Sequence, residues 1–227
     1  RASHPAFNTV STYYLLTGNG NSLWCNRSVQ WPLKGMIEPL SKTEIQAIRD
    51  GAEAVLLGNL KRGRDPTYKR EYAYVCPSHR GYPWQWFWDS CFHAVALSHV
   101  DLDLAKTELR TLLAVQDQQG FIPHMIHWGA RILLDIPVYW QSRFSFRPRR
   151  SALTQPPVLA QAALYVAERS QDQEFLNEVL EKVKCYYLWL HDHRDPDADG
   201  LISVISPYET GMDHLPAYDE VLGLKDP

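Results

Sequence analysis

The sequence predicts an all-α domain over residues 41–227, and three observations support this class. Five segments place apolar side chains at the three- and four-residue spacing of a helix. Acidic residues, a Ser and two prolines occur where these segments begin, as is typical of helix N-termini. Strand patterns are few after residue 60, the best being Leu201–Ser206 (LISVIS). Residues 1–40 are rich in Asn, Gly, Ser and Thr, which predicts an irregular N-terminal segment or the edge of a preceding domain.

The first predicted helix runs from Ser41 to Leu60. It opens with Ser41 and carries Glu44 three residues later, the spacing of a capping box. The second helix covers Asp89–His99, with Asp89 at or near its N-cap. The third covers Leu104–Val115 and ends before a Gln-Asp-Gln-Gln-Gly turn.

Gln155-Pro156-Pro157 marks the start of the fourth predicted helix, because prolines are tolerated in a first helical turn. That helix covers residues 158–170 (VLAQAALYVAERS), and a fifth covers Asp172–His193. The connections 61–88, 116–153 and 194–220 are long for a helical domain. Long loops of this kind tend to carry function.

Charge and hydropathy exclude several classes of partner. The chain of 227 residues has a net charge of −3, which is too small to indicate a nucleic acid or an anionic membrane. It contains no apolar run near the roughly 18 residues that span a bilayer. We therefore expect neither a nucleic-acid partner nor a membrane.

Cysteine spacing bears on metals and on the compartment. The four cysteines, Cys25, Cys76, Cys91 and Cys185, form no C-x-x-C pair and no regular disulfide framework. A structural zinc site is not indicated, and a reducing, cytoplasmic compartment is favoured. We expect no cofactor.

Aromatic side chains are gathered in loops. The chain has eight Trp and twelve Tyr, and three of the Trp occur in YPWQWFWDSCFH, which covers Tyr82–His93. Indole faces stack on the apolar faces of sugar rings, while amides and carboxylates bind their hydroxyls. The segment fits a saccharide pocket. It equally fits an aromatic cluster that closes one end of the domain, with Asp89 only a helix cap.

Two further loops combine polar and aromatic residues. DQQGFIPHMIHW (Asp117–Trp128) holds His124 and His127, which lack Cys or carboxylate partners at ligand spacing, so histidines of the core or its rim are favoured over a metal site. RFSFRPRRSALTQPP (Arg143–Pro157) holds four arginines. A solvated loop is favoured there over recognition of a substrate carboxylate.

DPDADGLIS (Asp195–Ser203) matches the first half of a calcium-binding loop. The twelfth position is Ser206 rather than Glu, and no helix follows. A tight Asp/Gly turn at the end of the fifth helix is favoured over a calcium site.

SPYETGMDHLPAYDE, which covers Ser206–Glu220, carries four carboxylates and no Lys or Arg. A general acid needs a carboxyl that stays protonated near neutral pH, through burial or a neighbouring carboxylate. Glu209 and Asp213 are four residues apart and could share such a site. The alternative is a polar loop in which backbone amides satisfy Asp213.

Taken in order, YPWQWFWDSCFH, DQQGFIPHMI, TQPPVLA and the pair DPDADGLI and SPYETGMDHLPAYD resemble the signature loops of glycoside hydrolase family 63. The resemblance implies an (α/α)6 toroid and hydrolysis of an α-linked glucoside or mannoside with inversion. It implies that Asp213 is the general acid. It implies six substrate-binding residues around that acid, namely Tyr82, Gln85, Trp88, Asp89, Gln155 and Glu209.

The chain departs from the family in two respects. His214 follows the acid where the family usually has Asn. Five predicted helices precede Asp213, whereas a complete toroid has about twelve helices. At the average helix length, about twelve helices and their loops need more residues than this chain supplies. We therefore expect only the N-terminal portion of the toroid, with the general base beyond residue 227, an inactive isolated fragment and an exposed apolar surface. The expected partners are a carbohydrate and the C-terminal half of the catalytic domain.

Two alternatives remain open at this point. One is a non-catalytic carbohydrate-binding protein on the same scaffold, and the other is a polysaccharide lyase with a helical toroid.

Overall fold

The computed structural model describes residues 40–66, 68–129, 150–212 and 215–216. About half of these residues lie in five α-helices and one short 3₁₀ helix. The helices are α1 (Lys42–Gly58), α2 (Phe87–Leu97), α3 (Leu102–Leu113), α4 (Leu159–Ser170), α5 (Gln173–Arg194) and the 3₁₀ helix Pro207–Glu209. All five predicted helices are confirmed, with ends displaced by at most two residues. The described residues fall in the unit Thr43–Pro227, apart from residues 40–42.

Short strands occupy part of the predicted loop 61–88, where the sequence interpretation placed none, within a domain that is otherwise helical. Strands β1 (Leu60–Asp65) and β2 (Arg70–Val75) form an antiparallel hairpin. Strand β3 (Gln85–Trp86) pairs with β4 (Met125–Ile126), also antiparallel. The segment 201–206, predicted as the best strand, forms none, and most of its apolar side chains are exposed.

The outer edge of β2 packs against α3 in place of a third strand. The backbone N–H of Ala73 donates to Thr111 Oγ1 at 3.2 Å. The N–H of Val75 donates to Glu108 Oε2 at 2.6 Å. These two side chains accept hydrogen bonds from backbone N–H groups of the strand edge that would otherwise have no partner. The hairpin is therefore fastened to helix α3.

The core lies where α2, α3, α4 and α5 meet. Its fully buried side chains include Phe87, Leu109, Leu112, Leu159 and Tyr186. Burial of such side chains is the main stabilising contribution, at roughly 1.5–3 kcal/mol each. Asp101 and Asp172 cap α3 and α5 by accepting from Leu104 N at 2.9 Å and Phe175 N at 2.8 Å.

Helix α1 contributes one buried residue, Leu56, whereas Ile45, Ile48 and Val55 are exposed. Exposed apolar side chains also occur on α4 and α5. The expectation of an exposed apolar surface agrees with these observations. The division of the chain at residue 40 stays a prediction, since residues 1–39 lie outside the described residues.

No helix within the described ranges is long and apolar enough to cross a membrane. Cys76, Cys91 and Cys185 are free thiols. The cytoplasmic location stays a prediction.

Candidate functional site

The N-terminal end of α2 is the point where three of the singled-out loops meet. Strand β3 leads directly into the helix, and Phe87 N donates to the carbonyl of His124 at 2.9 Å. His124 N in turn donates to the carbonyl of Leu153 at 2.7 Å. Gln155 Oε1 accepts from Trp88 N at 3.0 Å, which ties the TQPP loop to the first turn of the helix.

A fourth loop passes over the same helix end. Gly211 has a φ of +70°, and a Cβ atom at this position would lie 2.4 Å from Cζ2 of Trp88. Glycine is required here by both the left-handed backbone and the contact. Gly211 therefore lies directly against Trp88, two residues before Asp213 in the sequence. Asp213, His214, Asp219 and Glu220 lie outside the described residues.

Asp89 lies in the first turn of α2, which begins two residues earlier, so it is near the N-cap but not at it. The carboxyl is half-buried. Burial raises the pKa of Asp89 to about 6, opposed by hydrogen bonds from its own backbone N–H and the Trp88 side chain. A partly desolvated carboxylate at a helix N-terminus is a strong acceptor for ligand hydroxyl groups.

Two aromatic side chains of the segment Tyr82–His93 are at least partly exposed, Tyr82 and Trp88. Tyr82 is exposed and meets Trp86 edge-on with ring centroids 5.7 Å apart. Trp88 meets the exposed Phe92 edge-on at 5.8 Å. Rings of this kind can stack on the apolar face of a sugar.

Gln85 lies beneath this surface and is fully buried. Its Nε2 donates to Ser90 Oγ at 3.1 Å, and its Oε1 accepts from Trp128 Nε1 at 2.6 Å. Gln155 is likewise buried, with Oε1 engaged by Trp88 N. Both amides hold the helix end from below, and their direct contact with a substrate stays a prediction.

Glu209 is buried as well, with a side chain 2% exposed. Both of its oxygens accept hydrogen bonds from protein donors, among them Arg194 Nη2 at 2.8 Å. Its assignment as a substrate contact stays a prediction, and the geometry favours a role within the protein.

Glu108 was missed by the sequence interpretation. It is fully buried on α3, where Oε1 accepts from Ser90 Oγ at 2.5 Å and Oε2 accepts from Val75 N. Burial raises the pKa of Glu108 to about 8, against the lowering effect of those hydrogen bonds and one from Gln85. A signal existed, because Glu108 lies four residues from Leu104 and from Leu112, on the apolar stripe of its helix.

His124 and His127 pack among aromatic residues, as expected for histidines of a core or rim. His124 stacks edge-on against Trp86, and His127 against Trp84. The Nδ1 of His124 shares a hydrogen bond with Ser151 Oγ. Burial, and then proximity to His127, lower the pKa of His124 to about 4, so its ring is neutral at physiological pH.

The Asp195–Ser203 segment forms the predicted tight turn. Asp195 Oδ1 accepts from Asp199 N at 3.0 Å, and Oδ2 accepts from Gly200 N at 3.2 Å. Within the described ranges, Asp195, Asp197 and Asp199 are the one cluster of at least three potential metal-ligating side chains. Exposed acidic turns of this type are common without an ion. In the arginine-rich loop, residues 143–149 lie outside the described residues.

Comparison with known proteins adds to this geometry. Residues 82–227 match the family described as the mannosylglycerate hydrolase MGH1-like glycoside hydrolase domain. The chain belongs to this family. The MGH1-like match covers all four loops that meet at α2, and the resemblance to glycoside hydrolase family 63 is thereby confirmed.

The relatives of this MGH1-like chain are longer than the chain itself. It is 35% identical over 156 residues to a mannosylglycerate hydrolase of Thermus thermophilus, a match that covers 66% of this chain and 38% of the relative. It is 31% identical over 153 residues to a glucosylglycerate hydrolase of Mycolicibacterium hassiacum, covering 61% of this chain and 34% of that protein.

A solved structure gives the same result for the fold. The crystal structure of a family 63 mannosylglycerate hydrolase from Thermus thermophilus, in complex with Tris and D-glycerate, superposes with a TM-score of 0.64. The identity is 34%, and the match covers 78% of this MGH1-like chain and 40% of the solved one.

Proposed function

We propose that this chain is part of an inverting glycoside hydrolase that cleaves an α-linked mannoside or glucoside, with a glycosylglycerate the favoured substrate class. The observation that carries the proposal is the convergence of four loops on the first turn of α2, which carries Trp88 and Asp89, in a chain of the MGH1-like family. The names of the relatives support the glycerate conjugate.

The proposed chemistry divides the two catalytic carboxyl groups between this chain and the rest of the protein. Asp213 acts as the general acid that protonates the glycosidic oxygen as the bond to the anomeric carbon breaks. The base is a carboxylate beyond residue 227 that removes a proton from the attacking water. Inversion needs the two carboxyl groups about 6.5–9.5 Å apart, with water between them. The complete domain is then an (α/α)6 toroid, and this portion alone is inactive.

The described residues bind and orient the sugar. Asp89 accepts hydrogen bonds from sugar hydroxyl groups, and Trp88 and Tyr82 present ring surface. Gln85 and Gln155 stiffen the helix end that carries these groups, because their amides bond to Trp128, Ser90 and the backbone of Trp88. Rigid placement matters, since a displacement of 1 Å costs about 100-fold in rate.

Replacing Asp213 by Asn in the full-length protein tests the acid. We expect kcat on a natural glycosylglycerate to fall by about 10²–10⁴-fold, because proton donation to the leaving oxygen is lost. Sugar binding measured by calorimetry should be retained. Asp219→Asn is the matched control, a carboxylate six residues further along the chain that should be near wild type. Hydrolysis by Asp213→Asn at close to the wild-type rate would exclude Asp213 as the acid.

Product analysis tests the reaction class. The full-length protein is incubated with α-mannosylglycerate and with α-glucosylglycerate, and the products are followed by NMR. The first sugar released should be the β-anomer, since inversion converts the α-linkage. An unsaturated sugar would identify a lyase, and binding without turnover would identify a carbohydrate-binding protein.

A further inference from the structure

The carboxylate of Glu209 joins three separate segments. Oε1 accepts from Thr154 N at 3.0 Å and from Arg194 Nη2 at 2.8 Å. Oε2 accepts from Ile205 N at 2.9 Å. The TQPP loop, the end of α5 and the chain just before the 3₁₀ helix are thus fastened to one buried carboxylate.

Arg194 is itself held on several sides. It is the last residue of α5, and its side chain is 7% exposed. The guanidinium lies over the ring of Trp189, 5.5 Å from the centroid. Its carbonyl oxygen accepts from Ser203 N at 2.6 Å. The partner of Glu209 is therefore anchored to the helical core.

Apolar burial contributes little to the position of the segment Ile205–Met212. Ile205 is 65% exposed and Met212 is 51% exposed. The hydrophobic effect scales with the area removed from water, so these side chains contribute little to the placement of the segment. Among the described residues, the polar contacts of Glu209 and the contact of Gly211 with Trp88 attach this segment to the rest of the domain.

We propose that Glu209 and Arg194 are a positioning pair, which fixes the segment Pro207–Met212, keeps Gly211 against Trp88 and thereby positions the residues that directly precede Asp213. Glu209 acts through this segment and not on the sugar. The inference rests on the proposed function, because the pair positions the segment that precedes the proposed acid.

The test uses Glu209→Gln and Arg194→Met in the full-length protein. Removing one member of a buried ion pair leaves the other charge buried without a partner, which destabilises the protein. The melting temperature of each variant is therefore measured first, and kinetics are recorded well below the lowest of these temperatures. Both variants should lower kcat at least 30-fold with KM changed less than threefold. The double variant should lose far less than the product of the two single effects, because both act through one contact. Gly211→Ala should also lower kcat, since it displaces the same segment without altering the pair.

A matched control is available on the surface. Arg110 and Glu178 form a bidentate pair with an N–O distance of 2.6 Å, and both side chains are exposed. Arg110→Met and Glu178→Gln should change kcat less than twofold, because exposed pairs contribute little. A fall in sugar affinity for Glu209→Gln with normal kcat for Arg194→Met would instead identify Glu209 as a substrate contact and overturn the inference.

Hydrogen exchange gives a readout that does not depend on catalysis. Arg194→Met should speed amide exchange in peptides that cover Ile205–Met212, and Arg110→Met should not. Unchanged exchange in both variants would contradict the positioning role, even if the protein proves to act on another substrate. If the protein hydrolyses no glycoside but exchange responds as expected, the proposed function fails while the structural pairing stands.

Discussion

Replacing Gly120 by Ala should destabilise the protein by about 3–5 kcal/mol, in the range of severe backbone and packing defects. Gly120 has a φ of +102°, and a Cβ atom there would lie 2.3 Å from the carbonyl oxygen of Cys185. The clash is with the backbone of α5, so no side-chain rotation relieves it. The turn and the helix must move apart, and the bonds from Gln116 Nε2 to Gly120 O (3.0 Å) and Lys182 O (2.7 Å) would be weakened.

Gly200→Ala is the matched control. Gly200 has a φ of +83°, but no atom lies within 4 Å of the position of its Cβ. Its substitution should therefore cost only the left-handed backbone penalty, about 1–2 kcal/mol. Denaturant unfolding of the full-length variants measures both values. Equal losses for the two variants would show that α5 does not press on Gly120 in solution.

Replacing Glu108 by Gln should change how stability depends on pH. The pKa of Glu108 is raised to about 8 in the folded protein, from about 4.5 in the unfolded chain, mainly because the carboxyl is buried. A raised pKa means that the folded state holds the proton more tightly. The contribution of Glu108 to the free energy of unfolding is fully present below pH 4.5. It is lost as pH rises towards 8, at about 1.4 kcal/mol per pH unit.

The difference in slope between the wild type and Glu108→Gln from about pH 6.5 to 7.5 isolates this group, because the other titrating groups are common to both proteins. The pKa of Asp89, raised by burial, is about 6, so the carboxyl has largely titrated below the interval. Burial lowers the pKa of His93 and His124 to about 4, so their contributions are lost as pH falls through about 6.5 towards 4, equally in the two proteins. The wild-type unfolding free energy should therefore fall more steeply across the interval than that of Glu108→Gln.

Glu178→Gln serves as the control for this measurement. The pKa of Glu178 is lowered, first by its hydrogen bond with Arg110, so its titration lies at acidic pH. Glu178→Gln should keep the wild-type dependence of the unfolding free energy on pH between pH 6.5 and 7.5. A Glu108→Gln variant with that same slope would show that Glu108 is already ionised in the folded protein.

The hairpin shows why strands were harder to predict than helices. The apolar stripes of the helices identify a buried face at every turn, and five helices follow from them. In β1, basic side chains at Arg62 and Arg64 obscure the alternation of a strand. The strand beside it is completed by Thr111 and Glu108 of α3, which are distant in sequence. The local sequence pattern of a strand does not identify a hydrogen-bond partner that is distant in the sequence.

The candidate site divides in the same way. YPWQWFWDSCFH and SPYETGMD could be singled out because aromatic, amide and carboxylate groups are concentrated there. Their composition does not say which groups are buried. The fold placed Gln85 and Glu209 beneath the surface and left Asp89 half-buried with Tyr82 exposed.

The sequence by itself determined the five helices, the family resemblance and the four loops in which aromatic, amide and carboxylate side chains are concentrated. Helical periodicity and residue type are local properties, so they can be identified without the fold. Only the tertiary structure decided that these loops meet at one end of α2 and that Glu108 and Arg194 belong to the network behind it. Hydrogen bonds such as that between Arg194 and Glu209 join residues from different elements, and burial depends on what packs above each side chain. Neither property exists until the chain is folded.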